Sequence, residues 1–252
     1  ILPNAPKDAL LIDCSTIDVD TARTVARDAA MAGFRAADAP VSGGTAAASG
    51  GTLTFMVGCR DQDFPEFEQA LAPMAKAVIH AGSSGAGQAA KICNNMLLGI
   101  SMIGVCEAFV LAERLGLEPQ KFFDIASKAS GQCWSLTSYC PVPGPVPAAP
   151  SNRDYEGGFA AAMMLKDLKL AQDAAEAFAA SIGAPHWSLD LAECLARPGV
   201  EAVILATPTP LHAAQAVQAM EAGKHVLVEK PAFPRLQDFD RVRTARDRAG
   251  QS

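Results

Sequence analysis

Charge is scarce in this chain, and no block of basic residues occurs along it. Only 19% of the 252 residues are charged, and the formal net charge is −6. A nucleic-acid surface needs clustered Lys and Arg, so that class of partner is excluded. Cysteine pairing is also lacking. The seven cysteines (14, 59, 93, 106, 133, 140 and 194) include no C-x-x-C pair. The four histidines (80, 186, 212 and 225) show no H-E-x-x-H or other ligand spacing. Free thiols of a reducing compartment are the reading, so the sequence predicts a cytoplasmic protein with no metal site and no disulfide framework. No signal or transit pattern stands at the start, which opens on ILPNAPKDALLID like the middle of a domain. What is present in quantity is apolar: half the residues are hydrophobic, which excludes disorder and supports one or two domains with real cores. The uncharged run between Lys91 and Glu107 reads as too short, and too polar at its start, to cross a bilayer. It predicts a core helix and no membrane partner.

Three regions separate on composition. From Ala9 to about Ala81, strand-like runs (ALLIDCST, LTFMVG at 53–58, AVIH at 77–80) alternate with helical ones (21–33 and 64–75). Such alternation implies a sheet covered by helices. From Gly87 to about Ile182 the pattern is helical, over 88–115, about 119–130 and 159–182. The segment PVPGPVPAAP (141–150) has five prolines in ten residues and predicts an ordered loop between helices. From about Pro185 the pattern changes again: VEAVILATP (200–208), a helix over 210–225 and VLVEKP (226–231) form one βαβ unit. That unit cannot bury both faces of its strands by itself. The predicted fold class is therefore α/β followed by all-α, then a βαβ tail, with domains over 1–83, 84–184 and 185–252.

Four segments hold residues able to do chemistry. Lys91 and Asn95 lie four apart and share one face of a helix that opens on Gly87 and Gln88. A lysine beside apolar surface can act as general acid or base; the plainer alternative is a snorkelling lysine with Asn94 and Asn95 as ordinary polar surface. APVSGG (39–44) offers two consecutive glycine amides and the Ser42 hydroxyl as a nest for a carboxylate, or else a plain turn between strands. GSSGAG (82–87) follows a strand and precedes a helix, but its order is G-x-x-G-x-G rather than G-x-G-x-x-G. It reads as a flexible joint. In MLKDLKLA (163–170), Lys166, Asp167 and Lys169 read as a solvated helix face.

Taken in order, DCSTID, DAPVSGG with GTLTFMVG, GQAAKICNNML, PVPG and GGF…MLKDLKLAQD are more specific than any one of them. Over residues 1 to about 184 the chain resembles the 3-hydroxyisobutyrate dehydrogenases of the β-hydroxyacid dehydrogenase family. The resemblance implies a Rossmann-type domain, here a partial sheet, followed by a helical domain on a long central helix. It implies NAD-dependent oxidation of 3-hydroxyisobutyrate or a related short 3-hydroxy acid to the semialdehyde, with NADP not distinguished from NAD. Carried over by position, it makes Lys91 the proton relay and Asn95 a substrate-positioning residue. Ser42, Gly43 and Gly44 bind the substrate carboxylate; Leu2, Pro3, Thr16, Lys166 and Asp167 contact the cofactor. Association into a homo-oligomer through the helical domain is implied as well.

Two departures accompany the resemblance. The family opens with a strand, a G-x-G-x-M-G turn and a helix that bind the pyrophosphate, and this sequence reads as starting after them. Ala46 also stands where a glycine is common. After SIGAP the sequence resembles the Gfo/Idh/MocA oxidoreductases, through Thr207, Pro208, His212, Glu229, Lys230 and Pro231. The chain thus reads as two dehydrogenase fragments joined near 184–187. Its alternative role is a non-catalytic chain that keeps an oligomerising helical module.

Overall fold

Short apolar strands and longer amphipathic helices alternate through the first eighty residues of the computed structural model. It describes residues 4–156, 158–184, 186, 188, 190–207, 209–229, 232–233 and 235–250. The chain divides into two compact units, Ile1–Ala175 and Glu176–Ser252.

The first unit begins with β1 (Leu10–Asp13), α1 (Val19–Met31), β2 (Arg35–Asp38), β3 (Val41–Ser42), α2 (Gly44–Ser49), β4 (Leu53–Gly58), α3 (Phe64–Leu71) and β5 (Ala75–Gly82). β1 pairs in parallel with β2, with Asp13 opposite Asp38. β4 runs antiparallel to β2 and β3, and β5 adds in parallel to β4. The sheet is therefore mixed. Alternation in β4 turns Phe55 and Val57 to one side, where they pack with Phe67 and Leu71 of α3 and with Ala37, Ala39 and Cys59. Asp18 starts α1 by accepting the Thr21 amide at 2.7 Å. β3 and α2 were not anticipated from the sequence: two residues of strand and one short helix carry too little periodicity to register.

The helical part follows: α4 (Ala86–Arg114), α5 (Pro119–Ala126), α6 (Trp134–Thr137) and α7 (Ala161–Ser181). At 29 residues, α4 is long and apolar enough by length and composition to cross a membrane. The expectation that this run is too short is corrected on that point. Its placement is nevertheless that of a core helix at its start. Gly87, Gln88, Lys91, Ile92 and Asn95 are buried. Further along, Met96, Leu97, Ile100 and Ile103 are exposed. The proline-rich segment is an ordered loop, as expected. Ser151 Oγ donates to the Cys140 carbonyl at 2.8 Å, and Asn152 Nδ2 donates to the Val146 carbonyl at 2.8 Å.

The second unit holds the end of α7, then α8 (Leu191–Leu195), β6 (Ala202–Leu205), α9 (Thr209–Glu221), β7 (His225–Val228) and α10 (Leu236–Ala249). β6 and β7 pair in parallel, the expected βαβ arrangement. One face of the pair packs on α9 and α10, around Leu205, Ala216, Met220 and Val242. The other face leaves Ile204 and Leu227 exposed, as two strands alone require.

Candidate active site

The segment from Asp38 to Gly44 builds one wall of the site. It leaves β2, runs through Pro40 into β3, and ends at two glycines in the left-handed half of backbone space, Gly43 (φ 135°) and Gly44 (φ 67°). A Cβ on Gly43 would lie 2.4 Å from that of Ala47, so both conformation and space require glycine there. Gly43 and Gly44 are exposed and Ser42 is half-buried, which leaves their polar groups open to a ligand.

α4 builds the facing wall. Its first turn lies directly on the sheet: a Cβ on Gly87 would come within 2.3 Å of the Met56 carbonyl oxygen. Gly85 caps it in the left-handed conformation. The buried carboxylate of Asp38 accepts the amides of Gly85 at 2.7 Å and Gln88 at 2.9 Å. The expected flexible joint over 82–87 is therefore a packed and capped helix start. Gln88 is fully buried; it accepts the Ile17 amide at 3.2 Å and donates to the Ser15 carbonyl at 2.7 Å.

Lys91, one turn further, is 8% exposed. Its Nζ donates to the carbonyl of Val41 at 2.7 Å, the residue immediately before Ser42. The snorkelling alternative is thereby excluded. Burial pushes the Lys91 pKa below the ordinary lysine value; the neighbouring Asp167 charge opposes that shift and Lys166 adds to it. Asn95 is 1% exposed rather than ordinary surface. Its Nδ2 donates to Asp167 Oδ2 at 2.5 Å, and its Oδ1 accepts from Asn94 at 3.0 Å.

Asp167 corrects a second expectation, since it lies buried rather than on a solvated face. The reason is packing: α7 reaches α4 at Gly99, where an added Cβ would lie 3.1 Å from Leu168. Lys166 stays half-exposed, its Nζ 3.0 Å from Asp167 Oδ1 and 2.8 Å from the Thr16 carbonyl, to which it donates. Asn95, Asp167, Lys166 and Thr16 thus form one bonded set, whose charges act on Lys91, and Lys91 is tied through Val41 to the Ser42–Gly44 loop. Leu2 and Pro3 lie outside the described residues. Sequence reasoning missed Asp38 and Gln88 as parts of this site, although Asp38 opens the DAPVSGG segment and was legible there.

Three family models match the chain, over residues 1–82, 85–203 and 168–252. Residues 1–82 match the NAD binding domain of 6-phosphogluconate dehydrogenase, and residues 85–203 match the NAD-binding of NADP-dependent 3-hydroxyisobutyrate dehydrogenase. A Mycobacterium bovis protein named "Probable 3-hydroxyisobutyrate dehydrogenase" is 49% identical over 181 residues, 72% of this chain and 62% of that protein. Over that stretch the chain is similar to the 3-hydroxyisobutyrate dehydrogenases. The human mitochondrial 3-hydroxyisobutyrate dehydrogenase is 49% identical over 175 residues, 69% of this chain and 52% of its own length. The solved 3-hydroxyisobutyrate dehydrogenase of Mycobacterium tuberculosis, determined with L-serine, superposes with a TM-score of 0.68 at 47% identity. That match covers 75% of this chain and 63% of the solved one. The chain therefore spans between half and two thirds of the length of these 3-hydroxyisobutyrate dehydrogenases.

Residues 168–252 match a third family model, GFO_IDH_MocA, described as an oxidoreductase family with an NAD-binding Rossmann fold. Of the positions carrying that resemblance, Pro208, Lys230 and Pro231 lie outside the described residues. His212 is buried, with its ring nitrogens 2.5 Å from the Thr207 carbonyl and 3.0 Å from that of Ala232. It ties together the loops that follow β6 and β7. Glu229 directly follows β7 and donates its amide to the Leu205 carbonyl at 3.0 Å.

Proposed function

We propose that the first unit binds NAD or NADP and oxidises a short 3-hydroxy acid, 3-hydroxyisobutyrate or a close relative, to its semialdehyde. The observation that carries this reading is the tie between Lys91 Nζ and the Val41 carbonyl, which places a dry amine beside the Ser42–Gly44 loop. Alcohol oxidation needs one base within hydrogen-bond reach of the hydroxyl. Among the described residues Lys91 has one hydrogen-bond partner, the Val41 carbonyl, and the rest of its hydrogen-bonding capacity can serve that hydroxyl. Ser42 and the amides of Gly43 and Gly44 hold the carboxylate, and Asn95, fixed by Asp167, orients the substrate. As the carbonyl forms, Lys91 takes the hydroxyl proton.

The residues present fit a dinucleotide at the carboxyl ends of β1 and β2, where ligands of open α/β sheets bind. There the half-exposed Lys166 ammonium stands over the loop containing Thr16. Thr16 and Lys166 would hold the cofactor, with Asp167 fixing the Lys166 ammonium. When bound, the nicotinamide supplies the hydride acceptor. NADH fluorescence titration of the purified chain, with Lys166→Ala alongside, tests the binding step; saturable binding weakened by the substitution is expected. Lys91→Ala should lower 3-hydroxyisobutyrate oxidation by about 100-fold or more, the usual size of a lost general base. Equal turnover in the two proteins removes Lys91 from the reaction.

The exposed stripe Met96, Leu97, Ile100 and Ile103 on α4 supports a second role for the helical part, self-association into a homo-oligomer. A chain that kept only this role would be the non-catalytic alternative.

A further inference from the structure

We propose that Asp38 is a positioning residue for Lys91, and that its carboxylate aims the amine by fixing where α4 begins. This role presupposes Lys91 as the reacting base, and three features of one short segment support it. First, Asp38 is 4% exposed and accepts two amides of the first turn of α4, from Gly85 and Gln88. A carboxylate there satisfies donors the helix leaves open and meets the positive end of its dipole. Second, the seat permits no slack. Ideal Cβ atoms on Gly58 and Gly87 would lie 2.4 Å and 2.8 Å from the Asp38 carboxylate oxygens, so backbone closes on it from β4 and from α4. Third, the same segment receives Lys91. Three residues after Asp38, the Val41 carbonyl accepts Nζ, and Lys91 lies three residues after Gln88 on α4.

Asp38 and Val41 therefore grip α4 at two successive turns, one through backbone amides and one through the lysine itself. If the first grip slackens, the helix start moves on the sheet and the second cannot keep its length. Lys91 then leaves the dry pocket that separates it from ordinary lysines. The other charges acting on it are Asp167 and Lys166, both on α7, and they bond to Asn95 and to the Thr16 carbonyl.

The test reads the lysine directly, apart from turnover. Trace acetylation across a pH series, followed by peptide mass spectrometry, reports the pH midpoint of each amine. Exposed Lys76 and Lys128 in the same digest serve as references. In the parent chain Lys91 should titrate below them. In Asp38→Asn, whose amide cannot accept both N–H groups, its midpoint should move up to theirs, with the far-ultraviolet spectrum unchanged. Where activity is measurable, kcat should fall about 10- to 100-fold, the scale of a small misplacement. That loss should vanish in the Lys91→Ala background, because a residue acting through Lys91 has nothing left to aim. An unchanged Lys91 midpoint in a folded Asp38→Asn protein overturns the proposal. So does loss of fold in both Asp38→Asn and Asp38→Ser, since the carboxylate would then be holding the unit together rather than aiming one side chain. A parent chain without turnover whose Lys91 midpoint still responds to Asp38 would remove the dehydrogenase reading and leave the positioning role standing.

Discussion

Lys91 shows how one side chain changes character with its surroundings. Free in water it would carry its proton through the neutral range; on α4 it is almost fully covered, and its ammonium is disfavoured by lost hydration. The sign of the stability effect follows. Below the lowered folded pKa both states hold the proton, and the cost of burying the charge is felt in full. Between that value and the ordinary lysine range the unfolded chain binds more protons, so stability rises with pH. Lys91→Met should flatten that rise. Denaturant melts of the two proteins at matched alkaline pH values check it, and parallel pH profiles would show that burial does not tune Lys91. At the same scale, Asn95 and Asp167 illustrate what spacing leaves open. A polar residue in a helix can face water or a partner, and here each is the other's partner.

Helices and strands meet at glycines in this unit. Gly99 lets α7 settle on α4, and the contact sets Asp167 opposite Asn95. Gly104, five residues along the same helix, meets nothing within 4 Å of an added Cβ. The two positions should respond with opposite signs. Gly99→Leu should destabilise by about 1–3 kcal/mol through overpacking. Gly104→Ala should be neutral or stabilising by up to about 1 kcal/mol through helix propensity alone. Urea denaturation of both variants decides it, and equal effects would mean that α7 does not rest on α4 at Gly99. The second unit shows the limits of a short element set. β6 and β7 bury Leu205 and its neighbours under α9 and α10 while Ile204 and Leu227 remain at the surface.

For the whole molecule, the question is what covers its apolar surface. The α4 stripe is too regular, at i, i+4 and i+7 for Met96, Ile100 and Ile103, to be scattered exposure. Light scattering should report a multiple of the 26.2 kDa chain mass. Leu97→Lys combined with Ile100→Glu should return the protein to a monomer with its fold intact. A parent chain that is monomeric at high concentration would remove the oligomer.

Periodicity and composition alone determined much of this protein: the alternating first region, the long helix, the proline loop and the βαβ tail were all legible. The reason is local, because alternation of two and 3.6 residues and the backbone limits of proline act within a short window. The motif order likewise carried the likeness to the 3-hydroxyisobutyrate dehydrogenases that the relatives share. Tertiary structure alone decided the rest. It turned a glycine-rich stretch read as a joint into a packed helix start, and Asp167 from a surface charge into a buried partner. It also recruited Asp38, 53 residues before Lys91 in the chain, to the same helix. Such roles depend on which backbone groups approach after the chain folds. No local pattern encodes that distance, and only the closed packing of α4 on the sheet creates it.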